Sequence, residues 1–255
     1  EVVRYHFLHS QRDVPERGAK TEAMMNRMRH AAMIFGVTEQ SQKLVEELYL
    51  EYLDALNAHF ESYPYLLGWG PCIGDFGLLA PMYAHLGRDP HPARLMQQRA
   101  PAVYRWVERM NREDQDAPEF FNAGSDFLAD DEVPETLVEV LKILAEDFVP
   151  ETLAAADLIN GWLGKHQPEG GSAAVGRLAE ALGTADFTVR SERITALAQP
   201  HRFYLLQRVH DAFADFSQEK RDEVSALLEA CDMAPILTIT LDRRMIRCNN
   251  LEVWH

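Results

Sequence analysis

The chain has 255 residues, and 47% of them are hydrophobic, which is enough for one large or two small globular domains with a real core. Asp and Glu number 40 against 25 Lys and Arg, so the formal net charge is −15. A charge of this sign repels phosphate backbones, so nucleic acid is not expected as a partner. No apolar run reaches the length of a transmembrane helix, and residues 1–4 lack a signal-peptide pattern, so no membrane partner is expected.

The three cysteines, Cys72, Cys231 and Cys248, form no CxxC pair and are odd in number. This pattern is typical of a reducing compartment rather than of a secreted disulfide framework. The sequence therefore predicts a cytoplasmic protein.

Apolar residues at helical spacing dominate the first part of the chain. The segment 73–86 is apolar almost all round, which predicts burial at the centre of a helical bundle, and Pro81 inside it predicts a kink. Helices are predicted over residues 1–10, 18–35, 40–62, 73–86, 92–99 and 101–111.

A change in composition marks the predicted domain boundary. Residues 113–141 carry ten Asp and Glu and neither Lys nor Arg. A solvated connector is the simpler interpretation, and a docking strip for a basic partner is the alternative. We therefore predict a helical bundle over 1–112, an acidic connector over 113–133 and an α-rich extension over 134–255.

The extension mixes helical and strand periods. The period changes to two at 187–189 and at 236–241, and the second of these segments is expected to pair with 245–248. The predicted fold class is therefore mainly α, with a small antiparallel β-sheet in the extension. Helices are predicted on both sides of Pro150 and over 173–182, 201–216 and 217–231.

The stretch Tyr65–Phe76 has the pattern of a tight loop that leads directly into a helix. With Cys72 as the N-cap, Asp75 falls at the third helical position, where its carboxylate reaches back to the Cys72 backbone N–H. Pro71 and Phe76 have the spacing of a hydrophobic staple. A thiol is a weak acceptor, so we expect this structural N-cap to depend mainly on Asp75.

The run from Leu53 to Met110 resembles the C-terminal helical domain of the cytosolic glutathione transferases. It carries that family's long helix, the run 64–68 (Pro-Tyr-Leu-Leu-Gly), the capping box that ends at Asp75 and a following helix with Trp106. One position departs from the family pattern, because Cys72 stands where Ser or Thr is usual. The resemblance implies that residues 1–112 fold as a glutathione transferase C-terminal-like bundle.

In that family a thioredoxin-like domain precedes the helical domain, and no βαβ pattern for it is present before Tyr5. We therefore expect the chain to be the helical part of a longer protein. The resemblance implies that glutathione is a co-substrate of that parent, that its thiol is activated mostly by the thioredoxin-like domain, and that a homodimer is its assembly. The chain alone is expected to be inactive.

The resemblance also implies that the helical domain forms the wall of a pocket for a small electrophilic substrate. By helix position, the substrate-binding residues would be Tyr5, His6, His9 and Arg12. The alternative for Tyr5 and His9 is simple packing against the next helix. No catalytic residue is assigned.

Two other kinds of chemistry are not favoured by the sequence. His6 and His9 lie three apart, but a metal site needs further ligands at workable spacing, so no metal is expected. Cys72 at a helix N-terminus is a conceivable nucleophile, and a capping residue in the bundle interior is the simpler interpretation.

Two functions stay open on the sequence alone. The first is the substrate-pocket portion of a glutathione transferase-like enzyme. The second is a non-catalytic interaction module, because helical domains of this kind also serve as docking units. A thioredoxin-like domain ahead of Glu1 in the intact protein would favour the first.

Overall fold

The computed structural model describes residues 2–10, 15–112, 117–121, 124, 126–174 and 182–255. Within these ranges the chain is mainly α-helical with two small antiparallel sheets, which confirms the predicted fold class. The helices are α1 (Val2–Ser10), α2 (Arg17–Ile34), α3 (Gln42–Ser62), α4 (Ile73–Pro81), α5 (Pro90–Arg99), α6 (Pro101–Met110), α7 (Glu135–His166), α8 (His201–Ala214) and α9 (Gln218–Ala230). The strands are β1 (Thr184–Val189), β2 (Glu192–Leu197), β3 (Met245–Cys248) and β4 (Leu251–Trp254).

The contacts divide the chain into two compact units. The first unit comprises the residues up to Arg29 together with Glu46–Ile143, and the second comprises His30–Val45 and Leu144–His255. The predicted bundle, connector and extension have boundaries that differ from those of these two units, and this division stays a prediction. In the described ranges, no helix is both long enough and apolar enough to cross a membrane.

The core of the first unit is built around α3 and α6. On α3, helical spacing puts Leu53, Leu56 and Phe60 on one side, and all three are buried. On α6, Val103 and Trp106 are fully buried. The rings of Phe60 and Trp106 stack with centroids 5.0 Å apart and planes 11° apart, so this aromatic pair joins the two helices.

The prediction that the helix from Ile73 is buried on all sides is wrong. Asp75 and Met82 are buried, whereas Ile73 is 91% exposed and Phe76, the expected staple partner of Pro71, is 59% exposed. The apolar composition does not decide which stripe of this helix faces inward. The carboxylate of Asp75 decides it, because this buried group has to stay with its hydrogen-bond donors.

The kink predicted at Pro81 stays a prediction, and the helix type changes directly after this residue. The α-helical pattern of α4 ends at Pro81, and Met82–Leu86 forms a π-helical turn. The turn closes where the Gly87 N–H donates to the Met82 carbonyl at 2.6 Å. Proline has no N–H to donate to the Gly77 carbonyl, whereas the Met82 N–H after it still donates to the Leu78 carbonyl in the α-helical pattern.

Helix α7 forms the centre of the second unit. It continues through Pro150 without a break, although the sequence suggested two segments. Ala155, Ile159 and Leu163 recur every four residues and are buried in the core of this unit. Most of the helix predicted over 173–182 lies outside the described residues.

The first hairpin lies in the second unit and includes the strand predicted at 187–189. Strands β1 and β2 pair from Thr184 opposite Leu197 to Val189 opposite Glu192. Along β1, exposed and buried residues alternate strictly, which is the pattern expected of a sheet with one face against a core.

The predicted strand over 236–241 is wrong. Residues Ala234–Leu237 form a 3-10 turn, and β3 pairs with β4 instead. The Pro235 carbonyl accepts hydrogen bonds from the Thr238 backbone N–H and from its hydroxyl, both at 3.0 Å. These local bonds compete with strand pairing and outweigh the alternation of apolar residues.

Gly68 is a position where the fold needs glycine. Its φ is +114°, and a Cβ built on it would lie 2.9 Å from the backbone nitrogen of Leu128. We predict that Gly68→Ala lowers the free energy of unfolding by about 2 kcal/mol or more. Gly77→Ala is the matched control, because nothing lies within 4 Å of a Cβ there and alanine is the better helix former. Chemical denaturation measures both, and equal stability of the two variants would contradict the close approach at Gly68.

Candidate functional site

The carboxylate of Asp75 joins three segments of the first unit. It is fully buried, and it accepts hydrogen bonds from the Cys72 backbone N–H at 2.9 Å, the Leu66 backbone N–H at 3.2 Å and the Trp106 indole N–H at 2.9 Å. The donors belong to the residue before α4, to the preceding loop and to α6. A buried carboxylate is costly without such donors, so these bonds fix the three segments together.

The start of α4 has the capping box that the spacing predicts. The bond from the Cys72 N–H to Asp75 is the stronger half, and the Cys72 thiol facing the Asp75 N–H is the weaker half. Asp75 also lies at the positive end of the helix dipole. Burial raises the pKa of the Cys72 thiol, which disfavours the thiolate and counts against a nucleophilic role.

His59 holds the loop before α4 from the side of α3. The ring is fully buried, with Nε2 3.3 Å from the Tyr65 carbonyl and Nδ1 2.9 Å from the Thr136 hydroxyl. A carbonyl only accepts, so Nε2 carries the proton and Nδ1 accepts from Thr136. Burial lowers the pKa of His59 from its ordinary value of 6.5, so the neutral ring is the favoured form.

Arg109 holds the same loop from the side of α6. Its side chain is 1% exposed, and it donates to the Pro64 carbonyl through two nitrogens, at 2.9 and 3.2 Å. It also donates to the Glu119 carboxylate at 3.0 Å and lies 5.7 Å from the centroid of the Phe120 ring. A buried guanidinium therefore ties described residues of the acidic segment to the helical core.

An apolar cleft of about 560 Å³ opens beside these groups. This volume falls within the range of roughly 300–1,000 Å³ that small-molecule sites occupy. The rim carries Arg105, which pairs with Glu108 at 2.7 Å and approaches Glu119 at 3.4 Å. The other lining residues are Phe60, Glu61, Pro101, Ala102, Arg109, Pro118 and Phe120.

The sequence-predicted substrate residues of α1 lie together on an exposed face. Tyr5 is 59% exposed, His6 and His9 are exposed as well, and the rings of Tyr5 and His9 lie with centroids 3.9 Å apart and planes tilted by 31°. The His9 Nδ1 lies 2.9 Å from the Tyr5 carbonyl, which fixes the ring on the helix. The structure therefore brings these three side chains together, and Arg12 lies outside the described residues.

Metal binding finds no support in the described part of the chain. No group of three His, Cys, Asp or Glu side chains there has the arrangement that could hold a metal ion.

The Asp75 capping box lies next to the buried Trp106 in a segment with a known family likeness. A family model for the glutathione S-transferase C-terminal domain matches residues 21–114. The chain contains a glutathione transferase-like C-terminal helical domain. This domain includes Asp75 and the helices α3 and α6 that line the cleft, whereas Tyr5, His6 and His9 lie before it. Comparisons with curated proteins and with solved structures found no match.

Sequence reasoning missed several groups that build this site. It recognised Trp106 and Asp75 separately, but the hydrogen bond between them joins residues far apart in sequence and has no local signal. The roles of His59 and Arg109 were missed for the same reason. The one available signal was that each is a polar residue at an apolar position of a helical stripe.

We predict that Asp75→Ala lowers the free energy of unfolding by about 3 kcal/mol or more, because it leaves buried N–H donors without an acceptor. A capping role alone would cost about 1 kcal/mol. Trp106→Phe removes one of the three donors and should cost less than Asp75→Ala. Cys72→Ser is the matched control and should be neutral or stabilising, because a hydroxyl is the better acceptor. Thermal and denaturant unfolding of the three variants measure these differences. An unchanged melting point for Asp75→Ala would contradict the role of the carboxylate in joining the three segments.

The buried His59 ring makes the free energy of unfolding depend on pH. Its pKa is lowered in the folded state, so the unfolded chain binds more protons below pH 6.5. The contribution of the neutral ring is fully present above pH 6.5 and is lost as the pH falls through the folded value. We expect the free energy of unfolding to fall between pH 7 and 5, and His59→Gln to make that fall shallower. Identical slopes in the two proteins, measured by denaturant titration at each pH, would contradict the buried neutral ring.

Proposed function

We propose that the chain is the electrophile-binding helical portion of a glutathione transferase-like protein, and that the intact parent transfers glutathione to a small electrophile. The observation that carries this proposal is the match of residues 21–114 to the C-terminal domain of that family. The apolar cleft in the same unit supports it, because an apolar electrophile needs an apolar site.

The proposed division of labour follows from the chemistry of the thiol. The nucleophile is a thiolate, and a lowered thiol pKa needs a nearby hydrogen-bond donor or positive charge. In the family that group comes mostly from a thioredoxin-like domain, which we propose precedes this chain in the parent. We therefore propose glutathione as the co-substrate of the parent. As separate proposals, the parent is a homodimer and is located in the cytoplasm.

The location of the electrophile pocket has two candidates in the first unit. The face of Tyr5, His6 and His9 offers exposed aromatic and imidazole rings. The cleft beside Phe120 offers more enclosure. We keep the α1 face, with Arg12, as the proposed substrate-binding set, and the cleft is the competing location.

A non-catalytic interaction module is the second candidate function. Exposed Ile73 and Phe76 on α4 favour it, because large apolar side chains that face outward on one stripe often mark a contact surface.

A glutathione titration tests the division of labour. The net charge of −15 disfavours an anionic tripeptide, so we expect the 255-residue chain to bind glutathione no better than millimolar. Isothermal titration calorimetry of glutathione into the purified chain measures this. Micromolar binding would mean that this chain contains its own glutathione site and would contradict the proposed division.

Steady-state kinetics of variants of the intact parent distinguish the two candidate locations of the electrophile pocket. The double variant Tyr5→Ala, His9→Ala is expected to raise KM for the electrophile about three- to tenfold, the scale of a lost ring contact, and to leave KM for glutathione unchanged. Phe120→Ala is the matched control in the cleft. If Phe120→Ala alone raises KM, the α1 assignment is wrong, and if neither does, the helical domain is not the electrophile site.

A further inference from the structure

The side chains of the apolar cleft in the first unit decide which class of ligand fits it. Helix α3 contributes Phe60, and the start of α6 contributes Pro101 and Ala102. Pro118 and Phe120 complete the apolar lining. All five side chains are rings or a methyl group, which have little conformational freedom to lose when a ligand binds.

Contacts within the first unit hold these surfaces in place. The Phe60 ring is fixed by its stacking on α6. The Ala102 backbone N–H donates to the Asn57 side-chain carbonyl at 2.9 Å, which ties the start of α6 to α3. The Phe120 ring packs edge-to-face against the Trp69 ring, with centroids 6.2 Å apart. The cleft therefore offers preformed apolar surfaces with exposed ring faces, which a flat aromatic ligand matches best.

The two arginines of the cleft are already balanced by carboxylates. Arg109 pairs with Glu119 at 3.0 Å. Arg105 pairs with Glu108 at 2.7 Å and approaches Glu119 at 3.4 Å. An anionic ligand would have to displace a carboxylate from one of these pairs, so an anion fits the cleft poorly.

Glu61 adds a negative charge that these pairs do not cancel. Its carboxylate is exposed at the cleft and accepts a hydrogen bond from the Asn57 side-chain amide, a neutral donor, at 2.7 Å. Among the described residues, no Lys, Arg or His forms an ion pair with it. Two guanidinium groups therefore face three carboxylates, so the cleft is negative, as the whole chain is.

We propose that this cleft binds a flat aromatic ligand that is neutral or positively charged, and that it discriminates against the same ring with a carboxylate. Rings and prolines of the lining supply the apolar contact, and Glu61 supplies the preference for a cation. The proposal does not rest on the transferase function of the parent, because every contact that supports it lies in the first unit. It holds for either location of the electrophile pocket.

Three probes that share a naphthalene ring test the proposal: naphthylmethylamine, naphthylmethanol and naphthylacetate, which are cationic, neutral and anionic at neutral pH. Each is titrated into the purified 255-residue chain at low ionic strength, and calorimetry measures binding. We expect the amine to bind about two- to fivefold more tightly than the alcohol, the scale of one exposed charge pair. The acetate should bind about fivefold or more weakly than the alcohol, because the cleft repels it.

Phe120→Ala locates the ligand. It removes one ring of the lining and should weaken binding of the alcohol about tenfold. Phe121→Ala is the matched control and should change nothing, because this neighbouring ring is 94% exposed and does not line the cleft. Equal weakening by the two variants would overturn the proposal, and so would the absence of saturable alcohol binding by the folded wild-type chain.

Glu61→Gln tests the charge preference. It should remove the advantage of the amine and leave the affinity for the alcohol unchanged, a pattern that loss of folding cannot imitate. Glu229→Gln, at an exposed position of α9, changes the net charge equally and should keep the advantage. An acetate that binds as tightly as the alcohol, or an amine advantage that survives Glu61→Gln, would overturn the proposed selection by charge.

Discussion

The first unit depends on the buried carboxylate of Asp75. The carboxylate of Asp75 has no access to water, and transfer of such a group from water costs several kcal/mol unless donors replace its hydration. Three N–H groups from different segments supply that replacement. Because all three are needed at once, the loop before α4, the start of α4 and the position of α6 are specified together.

The candidate site depends on that arrangement through α6. Trp106 donates to Asp75 and stacks on Phe60. Arg105, the residue before it, and Arg109, about one turn after it, line the cleft. Anything that moves α6 therefore moves the cleft wall. His59 and Arg109 add two further buried ties to the loop, so the backbone from Pro64 onward is held from both helices.

Much of the fold follows from the sequence, because local patterns decide it. Helical spacing of apolar residues located α3 and α6 within a residue or two, and the Cys72-to-Asp75 spacing located the start of α4. The orientation of α4 could not be predicted, because its apolar residues surround the helix and a long-range bond of Asp75 selects the inner face.

The predicted strand at 236–241 was wrong because Pro235 and Thr238 bond locally. The hairpin turn between β3 and β4 lies at Asn249-Asn250, and the φ values of 47° and 62° there suit a tight hairpin. The α1 face of Tyr5 and His9 was proposed from helix position in the family resemblance. The cleft beside Phe120 needed the three-dimensional structure, because its walls come from α3, α6 and residues 118–120.

The most direct test of the role of Asp75 is hydrogen exchange of the Trp106 indole proton, followed by NMR. We expect this proton to exchange only when the whole first unit unfolds, with the same free energy as the most protected backbone amides of α6. The Trp254 indole is an internal reference, because it is equally buried but has no hydrogen-bond partner among the described residues. Exchange of the Trp106 proton at the rate of a free indole, while the α6 amides stay protected, would contradict the claim that the Asp75 carboxylate holds α4 and α6 together.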